Sequence, residues 1–376
     1  MLKNTLYFLT ITLLISFIYI KLRYRFWSSQ PIFHTYNLLY WVKAPGIIQH
    51  DVIKQTKFFD HRIQCSLLKN LDAQKKALLL SFIKMNYKSL YDTTYNIAKD
   101  KLLNIFTNDT AVSLQYNSLP KRIVSCLLDR PLICRTNEKR FEISYLDQLC
   151  IHRDFKDSEI RSRMIHTHYY KSRKLKKVAI FLYKNYGLPG IRVPLTIYKT
   201  YLIHSERWCK LNMNIPNNIS TQLVTSANSE LLVHFIKEVV RHFDCVILPK
   251  TYHLTKLIKL NYLIPTVIMD KLTVVAVIFF RKRGSTLNEN NIIECIGSYC
   301  RSGYEDTFIE SFQNSIVLLS KRYKFSMLSI ENISYNYLLL KRLLERSIPK
   351  RTDITGYYFY NCAHSPLFSP NVLIIN

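Results

Sequence analysis

Glycine is scarce in this chain: seven in 376 residues, with no Gly-rich phosphate loop of either dinucleotide- or P-loop type. The nine cysteines include no CxxC pair, and Cys295 and Cys300 are the closest spacing. That excludes a zinc ribbon and a disulfide framework and reads as reduced thiols facing a cytosol. No HExxH occurs among the 11 histidines. His166 and His168 form an HTH phrase, but two residues apart on a helix they face different ways, which suits a structural or surface role better than metal ligation. No internal repeat or low-complexity tract is visible. Acidic residues are the last shortage: 26 against 53 Lys and Arg, a formal charge of +27. Such a surface attracts phosphate-bearing partners, although AT-rich coding gives the same Lys-, Asn-, Ile- and Tyr-rich composition. Hydrophobic content of 48% is enough for a sizeable core, and the length suits two ordinary domains or one large fused one.

Only one long apolar run stands out, Leu6 to Ile20 (LYFLTITLLISFIYI), preceded by Lys3 and followed by Lys21, Arg23 and Arg25. A span needs roughly 17–20 apolar residues, so the run is marginal. KLRYRFW offers no small-residue cleavage site, which favours an uncleaved anchor over a signal peptide. The expectation is a single-pass membrane protein with a transmembrane anchor at residues 4–20. The cations after it place the bulk of the chain on the cytosolic side.

Beyond the anchor, strand-like and helical runs alternate. FEISYLDQLCIH (141–152), VAIFLY (178–183), IRVPLTIYKTYLI (191–203), CVILP, LTVVAVIFF (272–280), FSMLSI and YYFYN read as strands. Residues 160–175, ELLVHFIKEVVRHF, 305–323 and 334–346 read as helices. The polar MNIPNNISTQ (213–222) reads as a linker. Alternation on both sides of it predicts an α/β protein in two halves, 22–212 and 213–376. Within the first half a strand ends near His152, a charged loop follows, and a helix starts near Asp157 or Ser158, both good N-cap types. A helix N-terminus beside cations suits a pyrophosphate.

Three phrases carry a resemblance. YRFWSSQP (24–31) resembles a YKFW-x-x-QP phrase, QLCIH (148–152) resembles FLCVH, and the terminal YYFYNCAHSPLFSPNVLIIN resembles YYLYNW with its apolar tail. Together, in order, they are similar to the N-myristoyltransferase family within the GNAT-like acyl-CoA acyltransferases, as a divergent branch of the kind carried by large DNA viruses. The resemblance covers Tyr24 to Asn376 and implies two fused GNAT-like halves behind the anchor, the first binding acyl-CoA and the second the acceptor.

The resemblance also implies the chemistry. Acyl-CoA, myristoyl-CoA in particular, would be a co-substrate, with no permanently bound cofactor. The acceptor would be a protein or peptide with an N-terminal glycine. The main-chain amides of Gln148 and Leu149 would stabilise the oxyanion, and the carboxylate of Asn376 would be the base, its side chain having no part in that role. Tyr24, Arg25, Phe26, Trp27, Cys150, Ile151, Lys156, Asp157, Ser158, Ile160 and Arg161 would hold the donor. The family loop after the strand carries RSKR, whereas here Asp157 and Glu159 stand where a serine and a cation are expected; Arg153, Arg161 and Arg163 are the compensating cations. A family phrase GTCRYWHR has PLTIYKTY (194–201) as its nearest counterpart, with Thr200 in place of histidine if Tyr198 is the match. The alternatives are an N-acetyltransferase with another amine acceptor and a non-catalytic acyl-CoA-binding membrane protein. Nucleic-acid binding ranks below these, because no aromatic-studded basic strand of RNA-recognition type occurs.

Overall fold

The computed structural model describes residues 2–51, 55–87, 94–95, 102–117, 122–137, 139–155, 158–205, 215–282, 284–287 and 290–376. Lys156 and Asp157, two of the expected donor-binding residues, lie outside them.

The strands that build the interior are β1 (Ile63–Leu67), β2 (Ala111–Tyr116), β3 (Ile123–Thr136), β4 (Arg140–Leu146), β5 (Cys150–Ile151), β6 (Phe181–Tyr186) and β7 (Thr196–His204) in the first half. In the second they are β8 (Ile219–Leu223), β9 (Cys245–Leu248), β10 (Leu263–Asp270), β11 (Thr273–Arg281), β12 (Asn290–Cys300), β13 (Met327–Glu331), β14 (Arg351–Tyr360) and β15 (Val372–Ile374). Helices α1 (Leu2–Arg23), α2 (Ala73–Asn86), α3 (Ser158–Lys176), α4 (Ser229–Val239), α5 (Thr251–Lys259), α6 (Glu305–Arg322) and α7 (Asn336–Arg346) complete the frame.

The two halves share one sheet. From the second half, β8, β10, β11, β12 and β13 pair in succession, and β13 then pairs with β7 of the first. The late strand β14 inserts between β7 and β6, and β6 runs parallel to β4. β4 pairs with β3, which also takes β2, β5 and β9, and β9 carries the terminal strand β15 in parallel. The reason is in the side chains: LTVVAVIFF and TGYYFY are apolar on both faces, so each needs cover on both faces as well as neighbours at both edges. The α6–α7 pair covers one part of the sheet through Phe308, Phe312, Ile316 and Leu340, while α2, α4 and α5 cover another through Leu79, Phe82, Phe235 and Leu257.

Three expectations are corrected. Ile219–Leu223, which overlaps the end of the polar stretch (213–222) read as a linker, is strand β8, whose Ile219 and Leu223 rest on the second-half core. Residues 191–195 are not strand: Pro194 cannot donate to a ladder, and β7 starts at Thr196. The expected transmembrane span is not found. Helix α1 forms, but among the described residues no helix is long and apolar enough to cross a membrane. The run from Leu6 to Ile20 is interrupted by Thr10, Thr12 and Ser16, and at 1.5 Å per residue it rises about 22 Å against a hydrocarbon core of about 30 Å.

Candidate active site

The YRFW phrase ends α1 in a short turn that docks on the centre of the sheet. Trp27 stacks on Tyr183 of β6 at 5.3 Å, and Tyr183 stacks on Tyr358 of β14 at 5.3 Å. Arg192 caps this stack, 4.6 Å from the Trp27 ring and 4.9 Å from that of Tyr358. Phe26 packs edge-on against Phe58. Tyr24 lies against Gly190, which has a positive φ and where a Cβ would come within 3.1 Å of the Tyr24 ring, leaving little room for a side chain. Gln30 is buried: its Oε1 accepts from Tyr360 and meets Nδ1 of His166 at 2.9 Å, and its Nε2 donates to Phe26 O at 3.3 Å. Leu149 packs on the same cluster of Phe26, Tyr183, Tyr358 and Tyr360. The three phrases far apart in sequence therefore meet in one place.

His166 and His168 are both buried in α3. His166 is bound by Gln30 and, through Nε2, by Thr56 at 2.9 Å, and burial pushes it down to about 4. His168 meets Ser113 at 2.8 Å and Asp129 at 3.4 Å. These are structural histidines. The depressed value of His166 has a consequence for stability. The neutral form fits the fold, so its contribution is present above the unfolded value near 6.5 and is lost as pH falls towards 4. The total is on the order of 3 kcal/mol. In urea melts between pH 7 and pH 4.5, wild type should lose stability more steeply than His166→Gln; equal slopes would contradict this.

Expected as one strand, 141–152 is broken. Leu146 opposes Asp129, yet Cys150 opposes Cys126, so one extra residue is accommodated between β4 and β5. Asp147 N still donates to Leu128 O at 2.8 Å, and His152 N to Val124 O at 2.8 Å. Gln148 and Leu149 thus occupy a bulge, where the regular ladder pairing is interrupted. Cys150 is buried, and burial raises its thiol well above the ordinary range, as does the neighbouring Cys126 thiol. It is no nucleophile.

Of the remaining donor-binding candidates, Arg25, Ser158 and Arg161 are exposed, Tyr24, Trp27, Ile151 and Ile160 are half-buried, and Phe26 and Cys150 are buried, so the last two have only main chain to offer a ligand. The acid at Glu159 is neutralised one helical turn on, where Arg163 reaches it at 2.6 Å. Arg153 donates to Met85 O at 3.1 Å. Thr200 is buried, 2.8 Å from Thr355.

The last residue is interior. Asn376 is 1% exposed; β15 carries it in beside β9, and Ile375 N donates to Ile247 O at 2.9 Å. Arg281, the end of β11, donates from Nη1 to the Asn376 main-chain oxygen at 2.8 Å and also to its Oδ1. Asn376 Nδ2 donates to the Tyr357 hydroxyl at 3.2 Å. Glu294 takes Nε and Nη2 of Arg281, each at 2.6 Å, and Glu331 stands 3.7 Å from Nη2. Glu331 is held in turn by Lys184 at 2.7 Å and by the Tyr198 hydroxyl at 2.5 Å. Burial, then the Glu331 charge, pushes the Tyr198 and Tyr357 phenols well above their ordinary value, so both are neutral; Tyr198 donates to Glu331 and Tyr357 accepts from Asn376 Nδ2.

The bulge and the last residue are linked. Arg130, fully buried on β3, forms an ion pair with Asp147 at 2.9 Å. Its guanidinium lies 5.5, 5.8 and 6.0 Å from the rings of Tyr145, Tyr262 and Phe106. Burial works against its charge, but Asp147 outweighs burial and holds it protonated. The Tyr145 ring lies 6.5 Å from Tyr357, which touches Asn376. A continuous buried path therefore runs from Asp147, next to Gln148, to Asn376.

Sequence reasoning missed Arg130, Asp147, Lys184, Glu294, Arg281 and Glu331. A signal existed for two of them. Arg130 interrupts the apolar run of β3, and Arg281 closes the β-branched run of β11; a charge where both faces are buried must have a partner. Nothing local to Glu294 or Glu331 identifies them as those partners.

Neither a scan of protein-family models nor a search of curated proteins finds a match. Solved structures do. The chain is similar to Saccharomyces cerevisiae N-myristoyltransferase with bound myristoyl-CoA, at TM-score 0.71 and 11% identity over 94% of this chain and 99% of that one. A second structure of the yeast enzyme with myristoyl-CoA gives TM-score 0.72 at 12% identity over 93% and 94%. A third, with inhibitors also bound, gives 0.72 at 11% over 94% and 96%. The chain has the N-myristoyltransferase fold, at 11–12% sequence identity.

Proposed function

We propose that the protein transfers an acyl group from acyl-CoA to an amine, and specifically a long chain such as myristoyl to the N-terminal glycine of a protein or peptide. The observation that supports this best is the meeting of Trp27, Leu149, Tyr358 and Tyr360 in one cluster beside a strand bulge, in a fold that matches a myristoyl-CoA-bound enzyme over nearly its whole length.

In this reading the thioester carbonyl lies at the bulge, where the amides of Gln148 and Leu149 stabilise the oxyanion. The main chain of Tyr24 to Trp27 and of Cys150 and Ile151 lines the donor, and Arg25, Ser158, Ile160 and Arg161 serve the coenzyme; Lys156 and Asp157, outside the described residues, are proposed for the same role. The carboxylate of Asn376 takes a proton from the acceptor ammonium. The freed amine attacks the carbonyl carbon, the C–S bond breaks, and the second nitrogen proton passes through solvent to the departing thiolate, leaving an amide and the free coenzyme thiol, while the proton on Asn376 returns to solvent. No enzyme thiol takes part. Helix α1, exposed along its apolar length and followed by Lys21, Arg23 and Arg25, adds a lipid surface as a partner, with the catalytic part on the cytosolic side.

The test uses the full chain, a glycine-initiated peptide, and myristoyl-CoA beside acetyl-CoA. Turnover with the long-chain donor alone is expected. Turnover with acetyl-CoA alone would replace the donor class. Absence of binding to either donor would refute the reading.

A further inference from the structure

We propose that Arg281 is a positioning residue that clamps the end of β15, and that the side chain of Asn376 is half of that clamp. The kinetic consequence rests on the acyltransferase reading; the clamp itself does not.

The sequence gives the side chain of Asn376 no role, because a base formed from its main chain would be indifferent to it. The structure differs. Ladder hydrogen bonds hold the chain only as far as Ile375, whose N–H reaches Ile247. The next residue is held by side chains: Arg281 on its main-chain oxygen at 2.8 Å and on its Oδ1, and Tyr357 beneath its Nδ2 at 3.2 Å. A chain end with no such ties frays. Asn376 here is 1% exposed and fixed at three atoms.

The composition around the clamp matters too. A lone guanidinium against a carboxylate would favour its ionised form and weaken it as a base. Arg281 is not alone. Glu294 covers its Nε and Nη2, and Glu331 lies 3.7 Å away, with Lys184 on the same Glu331 oxygen at 2.7 Å. Two carboxylates and two cations cancel, so the group orients the end of the chain while adding little net positive field. The planar fork of arginine is required, since one cation must reach Asn376 with Nη1 and Glu294 with Nε and Nη2 at once; a lysine has a single nitrogen. Arg281 is 0% exposed, far from any surface duty.

The test uses full-length wild type, Asn376→Ala, Arg281→Lys and the double variant. Asn376→Ala leaves Arg281 paired with its glutamates, so the fold is kept, and Arg281→Lys keeps the charge. Each single change should lower kcat about tenfold to a hundredfold, with KM for acyl-CoA unchanged, because misplacing a reacting group costs rate rather than donor affinity. The double variant should lose no more than the worse single, as two halves of one clamp would. A second readout needs no turnover. In protein labelled with 15N-asparagine, the Asn376 side-chain amide (the resonance missing from Asn376→Ala) should exchange slowly with solvent in wild type and faster in Arg281→Lys. Protection in a wild type that turns over no substrate would refute the acyltransferase reading and leave the clamp standing. Free exchange in wild type, or wild-type kcat in Asn376→Ala, would overturn the clamp.

Discussion

Two glycines appended after Asn376 abolish turnover, a loss of at least about a hundredfold, while the affinity for acyl-CoA stays within a factor of two. That is the expected result of a direct test of the base. General-base assistance is worth roughly 10²–10⁴-fold, and the addition removes the carboxylate from its place altogether. Ile374, Ile375 and Asn376 are each 1% exposed, and β15 reaches its end beneath β9, facing Arg281 and Tyr357. Two more residues add about 7 Å of extended chain at a point where a neutral main-chain amide would now face Arg281. Donor affinity is the control, because Trp27, the bulge at Gln148–Leu149 and the start of α3 belong to other segments of the chain, and the appended residues leave their sequence unchanged. Deleting Asn376 should lower turnover in parallel with no new bulk to place, which excludes crowding as the cause. Undiminished turnover in the extended protein would take the base away from Asn376.

Most of what the sequence disclosed about the site came from aromatic phrases, and the structure explains why. Trp27 and Tyr358 are fixed by stacking on Tyr183, and Tyr360 by its hydrogen bond to Gln30 of the first phrase. Contacts this specific to residue type leave a readable trace in each phrase. The elements were legible for a similar reason: LTVVAVIFF and residues 305–323 have strong, unambiguous patterns and appear as β11 and α6 within a residue or two. The electrostatics were not. Arg281, Glu294, Glu331 and Lys184 come from β11, β12, β13 and β6, and their pairing depends on strand order that no local pattern encodes. The linker at 213–222 was misjudged because Thr and Gln between Ile219 and Leu223 look polar in composition although they alternate as an edge strand does. The anchor was misjudged on the opposite side: its composition is apolar, and its length and interrupting hydroxyls are what fall short.

Replacing Asp129 by alanine should cost about 3–5 kcal/mol of stability, the range for removing one partner of a buried ion pair. Asp129 is fully buried on β3, next to Arg130, and gathers α3 onto the sheet. Lys176 Nζ reaches it at 2.6 Å, Ser172 Oγ at 2.8 Å, Ala111 N at 3.0 Å and His168 at 3.4 Å. Lys176 is itself buried, so the alanine variant strands a cation. Burial alone would raise the Asp129 carboxyl; Lys176 and His168 outweigh it and hold the group well below the ordinary carboxylate range. The sign of the pH effect follows. A depressed folded value means that the stabilisation is complete above the unfolded value near 3.9 and is lost only as pH falls below it. In urea titrations the gap between wild type and Asp129→Ala should be constant from pH 7 to about pH 5 and should narrow below pH 4. His166 titrates in a higher window, from 6.5 towards 4, so the two effects separate on one pH axis. Removing both partners, Asp129→Leu with Lys176→Met, should recover much of the loss, because an apolar pair of similar volume needs no charge compensation. A double variant as unstable as Asp129→Ala would place the cost in Ser172, His168 and the Ala111 amide, and the anchoring of α3 would then be a hydrogen-bond network rather than an ion pair.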